Sequence, residues 1–97
     1  MSTLHVLSHS PFGDDRLSSC LRLLGSADAV LLSGDAVYAL RPGTVAFSAL
    51  QEQPIKLFVL VEDAQARAID IPDWAEAIDY PAFVDLSIHY AKVNSWL

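Results

Sequence analysis

Cys20 carries the most readily nucleophilic side chain of this 97-residue sequence, and it is the only cysteine. A thiol becomes reactive when a helix N-terminus or a nearby cation lowers its pKa, and Arg16 precedes Cys20 by four residues. However, Cys20 also shares a helical apolar stripe with Leu17, Leu21 and Leu24, and free cysteines are among the most often buried residues. The stripe favours a packed core thiol, while a sulfur-accepting thiol stays open as the alternative.

The three histidines, His5, His9 and His89, do not show the ligand spacing of a metal site, so we expect no metal. His9 and Ser10 follow a predicted strand, at the edge where open α/β sheets bind ligands. Ser8 and Ser10 also have the hydroxyl groups that satisfy the backbone of a turn. The turn role is favoured, and a small ligand at this edge is the alternative.

The glycines and the acidic residues also fit local structural roles better than cofactor binding or catalysis. Gly34 is a single glycine after a predicted strand, so the sequence lacks a phosphate-binding loop and we expect no cofactor. Two adjacent acidic pairs, Asp14 with Asp15 and Glu62 with Asp63, lie at predicted helix starts. Neighbouring side chains point apart on a helix, so these carboxylates fit helix capping better than acid–base catalysis.

The elements that position these residues alternate between short apolar runs and amphipathic segments, which is typical of an α/β domain with a mainly parallel sheet. The predicted strands cover residues 4–7, 29–32, 56–61 and 77–79. The predicted helices cover residues 16–24, 36–40, 45–51, 62–68 and 81–92. Gly25 is expected in a left-handed conformation after the first helix, and Asp63 is expected to pair with Arg67. We interpret residues 1–97 as one domain.

The hydrophobic content and the net charge of the chain indicate which kinds of partner it can bind. Hydrophobic residues make up 53% of the chain and charged residues 19%, more apolar than a small solitary domain needs, which indicates protein–protein interfaces. The net charge is −6, with six scattered basic residues, so direct binding to nucleic acid is not expected. The sequence also lacks a signal peptide and a membrane-spanning run, so we expect a cytoplasmic protein.

Short motifs in order along nearly the whole chain resemble the TusB/DsrH family. They comprise residues 4–5 (LH), 9–12 (HSPF), 19–22 (SCLR), 31–39 (LLSGDAVYA), 56–63 (KLFVLVED), 66–67 (AR), 78–80 (IDY), 83–84 (FV), Leu86 and 95–97 (SWL). Two turns depart from the family pattern. The order Asp-Gly is expected where Gly34 and Asp35 stand, and a glycine is expected where Ala68 stands.

The resemblance implies a small Rossmann-like three-layer domain of the DsrEFH type. It implies assembly with TusC/DsrF-like and TusD/DsrE-like sister subunits into a heterohexamer, a dimer of heterotrimers. Such complexes relay persulfide sulfur through a downstream carrier protein toward 2-thiolation of the tRNA wobble uridine, or serve sulfur oxidation in the Dsr branch. The principal persulfide cysteine belongs to the TusD/DsrE-like sister, and Cys20 matches a cysteine found in some DsrH-like members.

Three hypotheses follow. The first is an auxiliary, non-catalytic subunit of a sulfurtransferase complex that acts in tRNA thiolation. The second is a DsrH-like subunit of a sulfur-oxidation complex in which Cys20 accepts sulfur. The third, from a different class, is a stand-alone α/β module that binds a small ligand.

Overall fold

Five parallel strands form a single sheet in the computed structural model, which describes residues 2–13 and 15–96. The strand order is β4-β3-β2-β1-β5. The strands are β1 (Thr3–Leu7), β2 (Ala29–Leu32), β3 (Lys56–Leu60), β4 (Glu76–Ile78) and β5 (Lys92–Trp96). The helices are α1 (Arg16–Arg22), α2 (Val45–Gln51), α3 (Val61–Ala66) and α4 (Tyr80–His89), with a 3-10 helix at Gly34–Leu40. The predicted Rossmann-like α/β fold with a parallel sheet is confirmed.

The strand order decides which face of the sheet each helix covers. The chain moves outward from β1 to β4 in three steps and then returns across the sheet to place β5 on the other side of β1. Crossovers between parallel strands are right-handed, so the three outward crossovers lie on one face and the return crossover lies on the other. The first face therefore holds α1, the 3-10 helix, α2 and α3, while α4 covers the second face.

Alternating side chains of the strands form a core cluster on each face. The first cluster joins Leu7, Val30 and Val59 to Leu17 of α1 and Leu50 of α2. The second cluster lies under α4 and consists of Leu4, Ala29, Leu31, Phe58, Leu60 and Ile78. Because β2 and most of β3 are buried on both faces, they have the continuous apolar sequence expected of central parallel strands.

Side-chain hydrogen bonds cap α2 and α4, but not the two helices for which the sequence predicts capping by acidic pairs. Helix α3 follows Leu60 without a side-chain cap, so the predicted capping by Glu62 and Asp63 is wrong. The Thr44 hydroxyl accepts a hydrogen bond from the Phe47 N–H at 3.2 Å, and the Asp79 carboxylate accepts from the Ala82 N–H at 2.9 Å. Asp15 occupies the N-cap position of α1 without a capping hydrogen bond from its side chain, and Asp14 lies outside the described residues.

The first and last helices are shorter than predicted. Helix α1 ends at Arg22, and Gly25 is not left-handed, because its N–H donates to the Asp28 carboxylate at 2.9 Å in the turn before β2. Helix α4 ends at His89, and the fifth strand, β5, was not predicted at all. Most side chains of β5 are exposed, so its sequence lacks an apolar pattern, and its main-chain pairing with β1 defines it.

The two turns that depart from the family pattern both contain a left-handed residue. Gly34 has φ +52°, and a Cβ added there would lie 3.2 Å from the Ser8 carbonyl oxygen. Ala68 has φ +54° although it carries a Cβ. A left-handed conformation costs a non-glycine residue about 1–2 kcal/mol, so the glycine expected at position 68 has a physical basis.

We expect Ala68→Gly to stabilise the protein by about 0.5–1 kcal/mol, the relief of the left-handed strain less the added entropy of the unfolded chain. Gly34→Ala should destabilise it by about 1–2 kcal/mol, because it introduces the same strain beside the Ser8 carbonyl. Urea unfolding at pH 7 measures both changes. An Ala68→Gly protein less stable than the wild type would show that the conformation of Ala68 is unstrained.

Candidate functional site

Cys20 lies in the first core cluster, beneath α1, and its exposed fraction is 0%. Leu17 is buried beside it on the helix, while Leu21 and Leu24 pack against the same cluster as partly buried residues. Burial, and to a lesser degree the Asp28 carboxylate, raises the pKa of the Cys20 thiol to about 12. The thiol is therefore protonated and inaccessible at neutral pH, whereas nucleophilic attack requires an accessible thiolate.

The structure does not bring the three histidines together. His5 is buried in β1, His9 is exposed in the loop after β1, and His89 is exposed at the end of α4. Among the described residues, no three His, Cys, Asp or Glu side chains are grouped so that they would hold a metal ion.

The polar groups at the carboxyl end of the sheet form a cluster, which we call the carboxyl-end cluster: Ser33, Gly34, Asp35, Asp63 and Arg67. The Ser33 hydroxyl donates to the Leu7 carbonyl at 3.0 Å, and the Gly34 N–H donates to the Asp63 carboxylate at 2.8 Å. The Asp63 carboxylate therefore fixes the backbone after β2 and is not held ready for proton transfer.

Arg67 completes this cluster in a different way from the one predicted. Its Nε donates to the Asp35 carboxylate at 3.0 Å, and its Nη1 donates to the Asp63 main-chain carbonyl at 3.2 Å. The predicted side-chain pair between Asp63 and Arg67 is thus wrong, because the Asp63 carboxylate turns toward the Gly34 N–H. The ion pair with Asp35 is solvent-exposed and contributes no more than about 1 kcal/mol.

A buried polar network lies on the α1 face of the sheet, and sequence reasoning did not find it. The indole N–H of Trp96 donates to Nδ1 of His5 at 3.1 Å. Nε2 of His5 lies 3.3 Å from the Asp28 carboxylate. Because an indole N–H can only donate, Nδ1 is the acceptor, and the proton of a neutral His5 ring is on Nε2, pointing at Asp28.

Asp28 anchors this network to the backbone. One carboxylate oxygen accepts from the Thr3 N–H at 2.9 Å, and the other accepts from the Gly25 N–H at 2.9 Å and from His5. The hydrogen bond from Gly25, with those from Thr3 and His5, lowers the pKa of the Asp28 carboxyl against the opposing effect of burial. The network joins β5, β1 and the turn before β2, so its evident role is structural.

The signal for this network was partly visible in the sequence. A histidine in an otherwise apolar strand needs a buried partner, and Asp28 directly precedes the strand that pairs with β1. Trp96 is near the carboxyl end of the chain, and only the pairing of β5 with β1 brings its indole to His5.

Large apolar side chains are exposed on α4, around a groove between α1 and α2, at Leu23 after α1 and at Val93 of β5. The groove has a volume of about 330 Å³. Its lining is mostly apolar and consists of Pro11, Phe12, Leu17, Ser18, Leu21, Val45, Ala46 and Ala49. On α4, the exposed side chains are Tyr80, Val84 and Ile88. These exposed apolar side chains are suited to contacts with other proteins.

None of the helices in the described part of the chain has the length and apolar character needed to cross a bilayer.

The chain is similar in sequence to a known protein family over most of its length. A family model described as "DsrH like protein" matches residues 9–93. A protein of Erwinia tasmaniensis named "Protein TusB" is 40% identical over 95 residues, which cover 96% of this chain and 99% of that relative. A Yersinia pestis protein of the same name is 39% identical over 95 residues, with the same coverage.

Two solved structures share the fold. The YchN protein from E. coli superposes with a TM-score of 0.79 at 19% identity, over 99% of this chain and 100% of that one. A protein of unknown function, MTH1491 from Methanobacterium thermoautotrophicum, gives a TM-score of 0.60 at 12% identity, over 96% of each chain. At these identities the likeness concerns the fold alone.

We expect Cys20 to resist alkylation by iodoacetamide in the native protein and to react in denaturant, because its sulfur is buried and protonated. Intact-mass measurement before and after adding urea reads the adduct directly. A Cys20→Ala control identifies any modification elsewhere in the chain. Rapid labelling of the native protein at pH 7 would contradict the burial of this thiol.

We expect the protein to lose stability at acid pH as the Asp28 carboxylate becomes protonated. Its folded pKa lies below the ordinary value of 3.8, so the carboxylate stabilises the fold fully above that value. This contribution is lost as the pH falls below 3.8 through the folded pKa. We expect Asp28→Asn to destabilise the protein at pH 7 by about 2 kcal/mol, since the new amide group faces N–H donors. The difference from the wild type should shrink below pH 4.

Urea unfolding of both proteins between pH 7 and pH 3 measures this loss. The exposed Asp73 provides a matched control as Asp73→Asn, which should follow the wild-type curve. If wild type and Asp28→Asn lost stability in parallel over this range, Asp28 would not be the source of the acid dependence.

Proposed function

This chain belongs to the DsrH-like family, and on that premise we propose that it is an auxiliary subunit of a sulfur-relay complex. In this proposal the complex is cytoplasmic and passes persulfide sulfur, through a downstream carrier protein, toward 2-thiolation of the wobble uridine of tRNA. The observation that carries the proposal is the similarity, over nearly the full length of both chains, to proteins named TusB at about 40% identity.

The proposed subunit contributes structure and contacts rather than the reacting thiol. Its single cysteine, Cys20, is fully buried, and the pKa of its thiol is about 12, which supports a packing role. The thiol that carries the persulfide then belongs to a TusD/DsrE-like sister, with a TusC/DsrF-like chain as the third member. We propose that the three chains form a heterohexamer, a dimer of heterotrimers.

The charge of the chain is consistent with this division of labour. A net charge of −6 repels the phosphate backbone, so contact with tRNA falls to other components of the pathway. The alternative role, Cys20 as a sulfur acceptor in a sulfur-oxidation complex, requires its buried sulfur to reach solvent or a partner. A stand-alone module for a small ligand at Ser8–Pro11 is also less supported, because hydrogen bonds within the chain already engage Ser10 and Ser33 nearby.

We expect a strain that lacks this chain to lose most 2-thiouridine at the tRNA wobble position, because the relay lacks one of its subunits. Mass spectrometry of tRNA nucleosides measures the modification. Complementation with the wild-type chain and with Cys20→Ala should restore it equally if Cys20 only packs. Unchanged thiolation in the deletion strain would refute the tRNA role. Rescue by the wild type alone would assign sulfur transfer to Cys20 if Cys20→Ala is still folded and present in the complex.

A further inference from the structure

We propose that the outer face of α4, formed by Tyr80, Val84 and Ile88, is the surface through which this chain docks on a sister subunit. The inference rests on the proposed function and goes beyond it by assigning one surface of the chain to the contact.

Helix α4 is apolar on both of its sides. Its inner side packs Ala82, Phe83 and Leu86 against the second core cluster. Its outer side repeats large apolar residues every four positions, and Tyr80, Val84 and Ile88 are 51%, 57% and 75% exposed. A helix on the surface of a solitary domain normally has a polar outer face, whereas a helix that is apolar all round is buried. The outer side of α4 is therefore suited to a protein contact.

The charges of α4 support this reading. Its ten residues contain one carboxylate, Asp85, and lack lysine, arginine and glutamate. Exposed helices of soluble domains usually have several such residues, which keep neighbouring molecules apart. An anionic membrane surface is a poor occupant as well, because such surfaces attract lysine and arginine.

Strand β5 adds a further exposed apolar side chain on the side of the sheet that α4 covers. Val93 of β5 pairs with Leu4, a member of the second core cluster, so its side chain points to the α4 side of the sheet. Val93 is 43% exposed. The first face carries three α-helices and a 3-10 helix, while α4 is the only helix among the described residues that packs on the second face. A partner on this side would bury apolar side chains that the chain leaves in water.

The charge distribution selects a sister chain over a second copy. Each copy has a net charge of −6, and the exposed Asp85, one residue after Val84 and three before Ile88, borders the apolar face of the helix. A symmetric contact between two copies through α4 places the same carboxylate on both sides of the interface, where it loses solvent without gaining a counter-charge. A different chain can instead present an apolar surface with a basic group opposite Asp85. That is the occupant we infer.

The test uses Val84→Gln combined with Ile88→Gln, which removes the apolar face without adding charge and keeps good helix formers. Leu23→Gln is the matched control, because Leu23 is 67% exposed at the end of α1, on the opposite side of the sheet and outside the groove between α1 and α2. Each chain is co-expressed with the two sister chains, and the complex is quantified by native mass spectrometry and by titration of the purified chain. We expect the double variant to bind about 10-fold or more weakly and the control to bind like the wild type.

The isolated variants should retain the circular dichroism and melting temperature of the wild type, since the replaced side chains are exposed. Binding of a folded double variant with wild-type affinity would overturn the inference while leaving the proposed function intact. Equal weakening by Leu23→Gln would also overturn it, because the loss would not be specific to α4. Failure of the wild-type chain itself to join its sisters would instead refute the proposed function.

Two further measurements test the choice of occupant. Asp85→Lys should weaken binding to the sister, because it places like charges opposite each other, and unchanged or tighter binding would overturn the predicted basic group. Sedimentation of the chain alone should show a monomer. A dimer that Val84→Gln with Ile88→Gln abolishes would assign the surface to a second copy of this chain and overturn the sister contact.

Discussion

The right-handed crossover between parallel strands is the constraint on which the rest of this structure depends. Because β2, β3 and β4 follow β1 in one direction, their connecting helices all lie on one face of the sheet. The return to β5 then leaves the other face to α4. One face is therefore well covered and the other is covered by a single helix with an apolar outer side. This asymmetry explains how a chain of 97 residues can be 53% hydrophobic, since part of its apolar surface stays exposed on the outer side of α4.

The position of β5 depends on a small number of polar contacts in addition to its pairing with β1. The Trp96 indole, the His5 ring and the Asp28 carboxylate form a continuous network from the last strand to the turn before β2. A buried polar group is costly when it lacks a partner, so each member of this network requires the others. The network thereby ties β5 to β1 and to the turn before β2 on the α1 face of the sheet.

The carboxylates and the cysteine, whose side chains could act in catalysis, also have structural roles. Asp63 holds the Gly34 N–H, Arg67 holds Asp35, and Asp28 holds two backbone N–H groups, so the carboxylates are engaged in local structure. Cys20 fills space in the core next to Leu17. In a subunit whose proposed role is to hold a relay together, these side chains stabilise the fold and do not need to react.

The sequence by itself determined the strands with continuous apolar runs, the bounds of α2 at residues 45–51 and the placement of Cys20 on a buried stripe. These features depend on local periodicity and local hydrogen bonds, which a sequence records directly. The family pattern, rather than the sequence alone, leads us to expect a glycine at position 68, where Ala68 is left-handed with φ +54°.

The tertiary structure alone decided the position of β5, the hydrogen-bond partner of Asp63 and the exposure of α4. Strand β5 was missed because its exposed side chains carry no apolar pattern, and its pairing is a main-chain interaction with a strand about 90 residues away in sequence. Asp63 was paired with the wrong group because an i, i+4 rule considers one helix, whereas the Gly34 N–H reaches it from another crossover. The free outer side of α4 likewise depends on which face of the sheet the last crossover takes, and that is a property of the whole fold.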